Sequence, residues 1–206
     1  MQQIMFNGPK RPRMTLVLAH GAGGPMDSPF MNTLAESLSG RGLRVVRFEF
    51  PYMAGRREGV RRGPDRPRIL EQSWLDVISE LGSPERIVIG GKSMGGRIAS
   101  MVADEAGARG LVCLGYPFHP PGRPEKLRTA HLADLKTPTL IVQGERDPFG
   151  TPDDVATYDL SRKISFVWLP DGDHSFKPRK KSGHTESENL ELAIKSVRAF
   201  VDRLMM

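Results

Sequence analysis

The 206-residue sequence contains one cysteine and no long apolar segment. Because Cys113 has no second cysteine to pair with, no internal disulfide is expected, which is typical of a reducing cytoplasm. A helix that spans a bilayer needs about 18 consecutive apolar residues, and the longest runs, such as 16–19, have only the length of a strand. Residues 1–13 also lack the apolar core of a secretory signal. The sequence therefore predicts a cytoplasmic protein that has no membrane segment.

Several signatures of metal and cofactor sites are missing as well. The pattern H-E-x-x-H does not occur, and one cysteine cannot build a zinc cluster, so no metal site is predicted. The glycine-rich stretch 21–24 lacks the G-x-G-x-x-G spacing of a dinucleotide-binding loop. A phosphate-binding loop that ended in Lys92 and Ser93 would need glycine where Arg86 stands. We therefore expect no bound cofactor.

The overall composition is that of a folded globular protein, with 38% hydrophobic and 26% charged residues. This balance excludes disordered and collagen-like classes. A chain of this length usually forms one domain around one core, so residues 1–206 are predicted to be a single domain.

Short runs of apolar and β-branched residues alternate along the chain with helical patterns, as in βαβ units. The runs are mostly continuously apolar, which is typical of parallel strands that are buried on both faces. The predicted strands are 15–19, 44–50, 86–90, 110–114, 139–143 and 164–169.

Helix-start signals and apolar periodicity place the helices between these strands. They are predicted after Ser28 and Pro29, over 70–81, after Gly95 and Gly96, from Thr151 through Leu160, and after the capping pair Thr185 and Glu188. The sequence thus predicts an α/β fold with a mostly parallel sheet and helices on both of its faces.

Residues 91–95 read Gly-Lys-Ser-Met-Gly and match the pattern G-x-S-x-G. A predicted strand leads directly into this motif and a predicted helix leaves it, which is the context of a nucleophile elbow. Gly91 and Gly95 would let the strand and the helix approach each other around a strained turn. Ser93 is therefore the candidate nucleophile.

A serine hydroxyl needs a base to take its proton, and a base needs an acid to orient it. His174 follows the last predicted strand, at the edge of the sheet where α/β folds bind ligands. Asp147 follows the preceding strand and is the candidate acid, with Glu145 as a rival two residues earlier. The chain order Ser93, Asp147, His174 is that of α/β-hydrolases.

Two backbone N–H groups are required to stabilise the oxyanion that forms when such a serine attacks a carbonyl. The residue after the nucleophile, Met94, supplies one. The second is expected from the small residues that follow the first predicted strand, where we favour Ala22, with Gly23 as the alternative.

From Thr15 to Leu204 the sequence resembles a minimal α/β-hydrolase, and it is most similar to the small, lidless branch that includes dienelactone hydrolases. The stretches 47–52, 91–96 and 115–121 resemble a subgroup with relatives in a eukaryotic histone-acetyltransferase complex. The resemblance implies a three-layer α/β-hydrolase sandwich without a cap domain, and acyl transfer through Ser93, Asp147 and His174. Dienelactone hydrolases have a cysteine where Ser93 stands, so their particular substrate is not implied.

Three segments that follow predicted strands, 52–68, 118–136 and 175–185, contain more basic than acidic residues. A positive rim at the active-site edge would concentrate anionic substrates. We therefore expected these segments to contribute substrate-binding residues, namely His119, Arg56, Arg57 and Lys177. Aromatic residues are not interleaved with the basic ones, so nucleic-acid binding is not expected.

The sequence thus predicts a serine hydrolase that cleaves a small carboxylic ester or thioester, with a preference for anionic substrates. Two alternatives stay open at this point. An acyltransferase would use the same three residues with another acceptor, and an interaction module would keep the fold but leave Ser93 unreactive.

Overall fold

The computed structural model describes residues 3–206. Residues 1 and 2, which begin the segment searched for a secretory signal, lie outside the described residues. Seven strands form one sheet. They are β1 (Ile4–Asn7), β2 (Met14–Ala19), β3 (Leu43–Phe48), β4 (Ile87–Lys92), β5 (Gly110–Leu114), β6 (Thr139–Gly144) and β7 (Ile164–Leu169).

The strand order across the sheet is β1-β3-β2-β4-β5-β6-β7. The edge strand β1 runs antiparallel to β3, and every other neighbouring pair is parallel. The carboxyl ends of β2 to β7 therefore meet at one edge of the sheet, which is where ligands bind in such folds.

Helices cover both faces of the sheet. They are α1 (Pro29–Leu38), α2 (Pro51–Arg57), α3 (Pro67–Leu81), α4 (Met94–Val102), α5 (Pro152–Val155) and α6 (Glu186–Leu204). Because successive strand residues point to opposite faces, Leu16 and Leu18 pack with α1 and α6, whereas Val17 and Ala19 pack with α2, α3 and α4. The predicted three-layer α/β sandwich is confirmed.

No cap domain interrupts these layers. The segment between β5 and β6, where a cap would be inserted, contains only the single 3-10 turn Ala130–Leu132 as regular structure. Among residues 3–206, moreover, no helix combines the length and the apolar character that crossing a membrane requires.

The structure differs from the predicted elements at several places. The helix α4 begins at Met94 and not after Gly96, and β4 extends to Lys92, beyond the predicted end at residue 90. The strand β1 and the helix α2 were not predicted, and the strand predicted over 44–50 ends at Phe48 because Pro51 already begins α2. The helix predicted from Thr151 through Leu160 ends at Val155. Beyond it the Thr157 hydroxyl and amide both donate to the Asp154 carbonyl, so the chain turns instead of continuing the helix.

Candidate active site

The carboxyl edge of the sheet brings Ser93, Asp147 and His174 into one hydrogen-bonded line. The Ser93 Oγ atom lies 2.9 Å from His174 Nε2, and His174 Nδ1 lies 2.8 Å from Asp147 Oδ2. A carboxylate can only accept, so Nδ1 carries the proton and Nε2 is left to accept from the Ser93 hydroxyl. The Asp147 side chain is fully buried, whereas 23% of the His174 side chain is exposed.

Ser93 occupies a sharp turn between β4 and α4, with φ 50° and ψ −115°. This backbone conformation is unusual for a residue with a side chain. The turn is possible because glycines flank it: a Cβ atom on Gly91 or Gly95 would lie within 2.5 Å of the Ala19 carbonyl oxygen. The end of β2 and the turn therefore touch through their backbones.

Asp147 is fixed by two donors besides the histidine. The Gln143 side-chain amide donates to Asp147 Oδ2 over 2.9 Å, and the Phe149 backbone amide donates to Oδ1 over 2.9 Å. Gln143 is itself completely buried, and its Oε1 atom accepts from the Tyr116 amide at 2.7 Å. The carboxylate is thereby aimed at His174. The rival Glu145 is exposed and accepts from the Asp171 amide instead.

The segment that carries His174 is held from several directions. Asp173 accepts from the amides of Ser175 and Lys177, which tightens the turn around His174. The Asn189 side chain on α6 donates to the Phe176 carbonyl over 2.8 Å. These contacts fix the position of the imidazole relative to the sheet.

The loop after β2 lies against the Ser93 turn, since a Cβ atom on Gly21 would lie 3.7 Å from the Ser93 Cβ atom. The Tyr52 hydroxyl, from α2, donates to the Ala22 carbonyl over 3.0 Å. Burial raises the pKa of Tyr52 to about 12, so the hydroxyl keeps its proton. Within residues 3–206 no backbone carbonyl outside the helices and strands accepts from the Ala22 amide.

His20 also supports this loop. Its Nε2 atom accepts from the Phe50 amide at 3.2 Å, so Nδ1 carries the proton and donates to the Gly21 carbonyl at 2.7 Å. Burial lowers the pKa of His20, which agrees with a neutral ring. The interpretation that His20 shapes the loop fits these contacts.

A cleft of about 510 Å³ opens over Ser93. Its lining is mainly apolar, with Phe30, Met31 and Phe149 as the large side chains. The Phe149 ring lies against the His174 imidazole, with ring centres 4.3 Å apart. The remaining lining residues are Gly21, Ala22, Gly23, Gly24, Ser28, Lys92, Ser93, His174, Ser175 and Glu186.

The structure does not bring the four expected substrate-binding residues into this lining. Arg56 lies over the Tyr52 ring and donates to the Arg62 carbonyl, and Arg57 is bound by two carboxylates. His119 is buried beside Asp154, from which its Nε2 atom lies 3.9 Å away.

Lys177 lies next to a residue of the cleft lining without being part of that lining. Its exposed ammonium is 3.8 Å from Glu186, which does line the cleft, so a carboxylate already occupies the nearby space. Sequence position after a strand thus identified the correct edge of the sheet but not the direction of these side chains.

Three residues of the site were missed in the sequence. Gln143 is the polar end of an otherwise apolar strand, and that break in the apolar run was an available signal. Lys92 lies within the serine motif and its ammonium contacts the His174 segment. Nothing in the sequence pattern distinguishes Phe149 from other loop aromatics.

No three His, Cys, Asp or Glu side chains in the described part of the chain converge as metal ligands would. The single cysteine, Cys113, is buried in β5, and burial raises the pKa of its thiol.

The sequence profile of the alpha/beta hydrolase domain family matches residues 12–202. Among solved structures, the chain is similar to an alpha-beta serine hydrolase homologue from Coxiella burnetii, with 24% identity and a TM-score of 0.71 over 95% of this chain and 91% of the other. A lidless serine hydrolase from Xanthomonas campestris shows 20% identity and a TM-score of 0.65 over 98% and 88%. Dienelactone hydrolase from Anabaena variabilis shows 20% identity and a TM-score of 0.69 over 94% and 89%. The chain therefore belongs to the alpha/beta hydrolase family.

Proposed function

We propose that the protein is a serine hydrolase that cleaves carboxylic esters or thioesters. The observation that carries this proposal is the unbroken line from Ser93 through His174 to Asp147, with both contacts at hydrogen-bond distance. In that arrangement Ser93 is the nucleophile, His174 the general base, and Asp147 the group that orients the imidazole and stabilises its cation.

The reaction would proceed in two stages through an acyl-enzyme. Ser93 Oγ attacks the acyl carbon while His174 Nε2 takes the hydroxyl proton, and the N–H groups of Met94 and Ala22 receive the oxyanion. Met94 is the first residue of α4, so its amide has no acceptor within the helix. The proton then passes from His174 to the departing alcohol or thiol, and water releases the acyl group by the same route.

The lining of the cleft favours an uncharged acyl group of modest size. Phe30, Met31 and Phe149 offer apolar surface next to Ser93. Arg57, one of the residues expected to bind an anionic substrate, is already neutralised by two carboxylates. We therefore propose neutral esters as better substrates than anionic ones, in place of the anionic preference that the basic segments suggested.

Labelling with a fluorophosphonate probe tests the activated serine directly. Wild-type protein should be labelled, and Ser93→Ala and His174→Ala should not. Ser196→Ala, on α6, is the matched control for loss of a serine hydroxyl and should be labelled like wild type. Failure to label folded wild-type protein would contradict the hydrolase proposal and favour a non-catalytic interaction module.

A substrate panel then tests the acyl group and the acceptor. We expect 4-nitrophenyl butyrate to give a higher kcat/KM than 4-nitrophenyl hemisuccinate, with little dependence on NaCl. A preference for the hemisuccinate that disappears at high salt would restore the anionic substrate. Product analysis in the presence of added alcohols or amines distinguishes hydrolysis from acyl transfer.

A further inference from the structure

Lys92 lies in a narrow space behind the proposed catalytic residues. Its Nζ atom donates to the main-chain carbonyl oxygen of His174 over 2.5 Å and lies 5.3 Å from the centre of the Phe176 ring. A Cβ atom on Gly115 would lie only 2.7 Å from Nζ. The ammonium therefore fits here because residue 115 has no side chain.

This contact joins two parts of the site that the chain keeps far apart. Ser93 and His174 are separated by 81 residues, and their segments follow different strands. Lys92 is covalently next to Ser93, so its bond to the His174 carbonyl ties the nucleophile's turn to the base's segment. The bonds from Asn189 connect that segment to α6 instead.

We propose that Lys92 is a positioning residue whose ammonium holds His174 within reach of Ser93, and that catalysis weakens when this ammonium loses its proton. The inference rests on the proposed hydrolase function. Lys92 takes no part in the bond-making steps, and its effect passes through the position of the imidazole.

The surroundings of Lys92 account for a proton that is held less firmly than usual. Burial lowers the pKa of Lys92 to about 8, against the opposing attraction of Asp147 and Asp173. The neighbouring parts of the other loops are Gly21, Gly115 and the Phe176 ring, which contribute no charge. His174 is a further titratable neighbour, since its ring and Lys92 Nζ both lie close to Gly115, and Glu186 lines the same cleft.

The direction of the pH effect follows from the protonation state of Lys92, because the ammonium is a stronger hydrogen-bond donor than the neutral amine. Below about pH 8 the ammonium is present and its bond to the carbonyl is charge-assisted. As the pH rises through this value, a neutral amine replaces it and donates a weaker bond. We therefore expect the activity of the wild-type protein to decline above about pH 8.

The experiment compares wild type, Lys92→Met, Lys92→Arg and the surface control Lys195→Met. For each protein, kcat and KM for 4-nitrophenyl butyrate are measured from pH 6 to 10, with kcat expressed per fluorophosphonate-labelled site. The rate of fluorophosphonate labelling is measured over the same pH range. A displaced imidazole should lower kcat of Lys92→Met by about 10- to 100-fold with KM nearly unchanged. Its alkaline decline should be absent. Because arginine keeps its proton throughout this range, Lys92→Arg should restore part of kcat and show no alkaline decline up to pH 10.

The possible failures are distinguishable. Absence of labelling in wild type overturns the proposed function itself. If wild type is labelled, and Lys92→Met has the same kcat per labelled site and the same pH profile, Lys92 has only a structural role and the inference is wrong. If circular dichroism shows that Lys92→Met does not fold, the profiles of wild type and Lys92→Arg decide: coincident alkaline limbs overturn the proposal, and the absence of the limb in Lys92→Arg up to pH 10 supports it.

Discussion

Arg57 binds the buried carboxylate of Glu49 through two nitrogen atoms, with Nε 2.8 Å from Oε2 and Nη2 2.6 Å from Oε1. The same Nη2 atom lies 2.6 Å from Asp27 Oδ1. Glu49 directly follows β3, and Asp27 lies in the loop after β2, so Arg57 ties the loop that carries Ala22 to the sheet. The hydrogen bonds to Glu49 and Asp27 raise the pKa of Arg57, and the hydrogen bond from Arg57 lowers the pKa of Asp27.

Replacing Arg57 by methionine should therefore cost stability and leave substrate preference unchanged. The variant removes the two charge-assisted hydrogen bonds that Arg57 donates to the buried Glu49 carboxylate. We expect this to cost about 3 kcal/mol, or roughly 6–12 °C in Tm for a chain of this length. Thermal melting measures the first effect, and the ratio of kcat/KM for neutral and anionic esters measures the second. Arg61→Met, at an exposed position of the same basic segment, is the control. A selective loss on the anionic ester would show that Arg57 binds substrate after all.

The close backbone contact at the Ser93 turn leads us to predict that a side chain at Gly91 destabilises the protein. A Cβ atom on Gly91 would lie 2.1 Å from the Ala19 carbonyl oxygen, which is backbone and cannot move aside. Gly91→Ala should therefore lower the free energy of unfolding by about 3 kcal/mol or more. Gly63→Ala is the matched control, because nothing lies within 4 Å of the added carbon. Equal melting temperatures for the two variants would contradict the close approach of β2 to the turn.

The elements that the sequence predicted well are those that the core defines. The strand β5 has the predicted bounds, because a continuous apolar run bounded by turn residues identifies a buried parallel strand. The strand β7 also has the predicted bounds, although it is a half-buried edge strand. The strand β1 escaped prediction because its apolar run, Ile4 to Phe6, is only three residues long, and the chain leaves Met5 and Phe6 exposed instead of packing them into the core. It depends on pairing with β3, and Arg44 covers the Phe6 ring.

The candidate site was predictable in part for a related physical reason. Parallel strands place their carboxyl ends at one edge, so residues after strands, such as Ser93, Asp147 and His174, could be expected to meet. Side-chain direction could not be read in the same way. Arg57 turns away from the cleft because Glu49 and Asp27 converge on it, and that convergence exists only in the folded chain.

The amino-terminal cap of α6 provides a prediction that concerns stability alone. Thr185 Oγ1 accepts from the Glu188 amide, and Glu188 Oε2 accepts from the Thr185 amide. Thr185→Ala should lower stability by about 1 kcal/mol, or roughly 2–4 °C in Tm. Thr33→Ala, on the exposed side of α1, is the control and should change Tm little. If the two variants melt alike, the cap does not stabilise α6.

Gln143 gives the sharpest test of the role proposed for Asp147. Gln143→Glu keeps the shape of the side chain and the oxygen that accepts from the Tyr116 amide. In the wild type the Gln143 side-chain amide donates to Asp147 over 2.9 Å. The variant places a second carboxyl group in that position, about 3 Å from Asp147. Two carboxyl groups this close cannot both ionise, so they retain a proton at neutral pH. Asp147 then orients the imidazole less well, and kcat/KM at pH 7 should fall by about 100-fold or more.

Because the shared proton leaves as the pH rises, activity of Gln143→Glu should recover in part on the alkaline side, and a pH–rate profile measures this. Gln72→Glu is a matched control, since Gln72 also donates to an aspartate, Asp76, at 2.8 Å, but on the exposed surface of α3. Solvent screens that pair, so its profile should coincide with that of wild type. If the profile of Gln143→Glu coincided with it as well, the buried carboxylate of Asp147 would not be what orients His174.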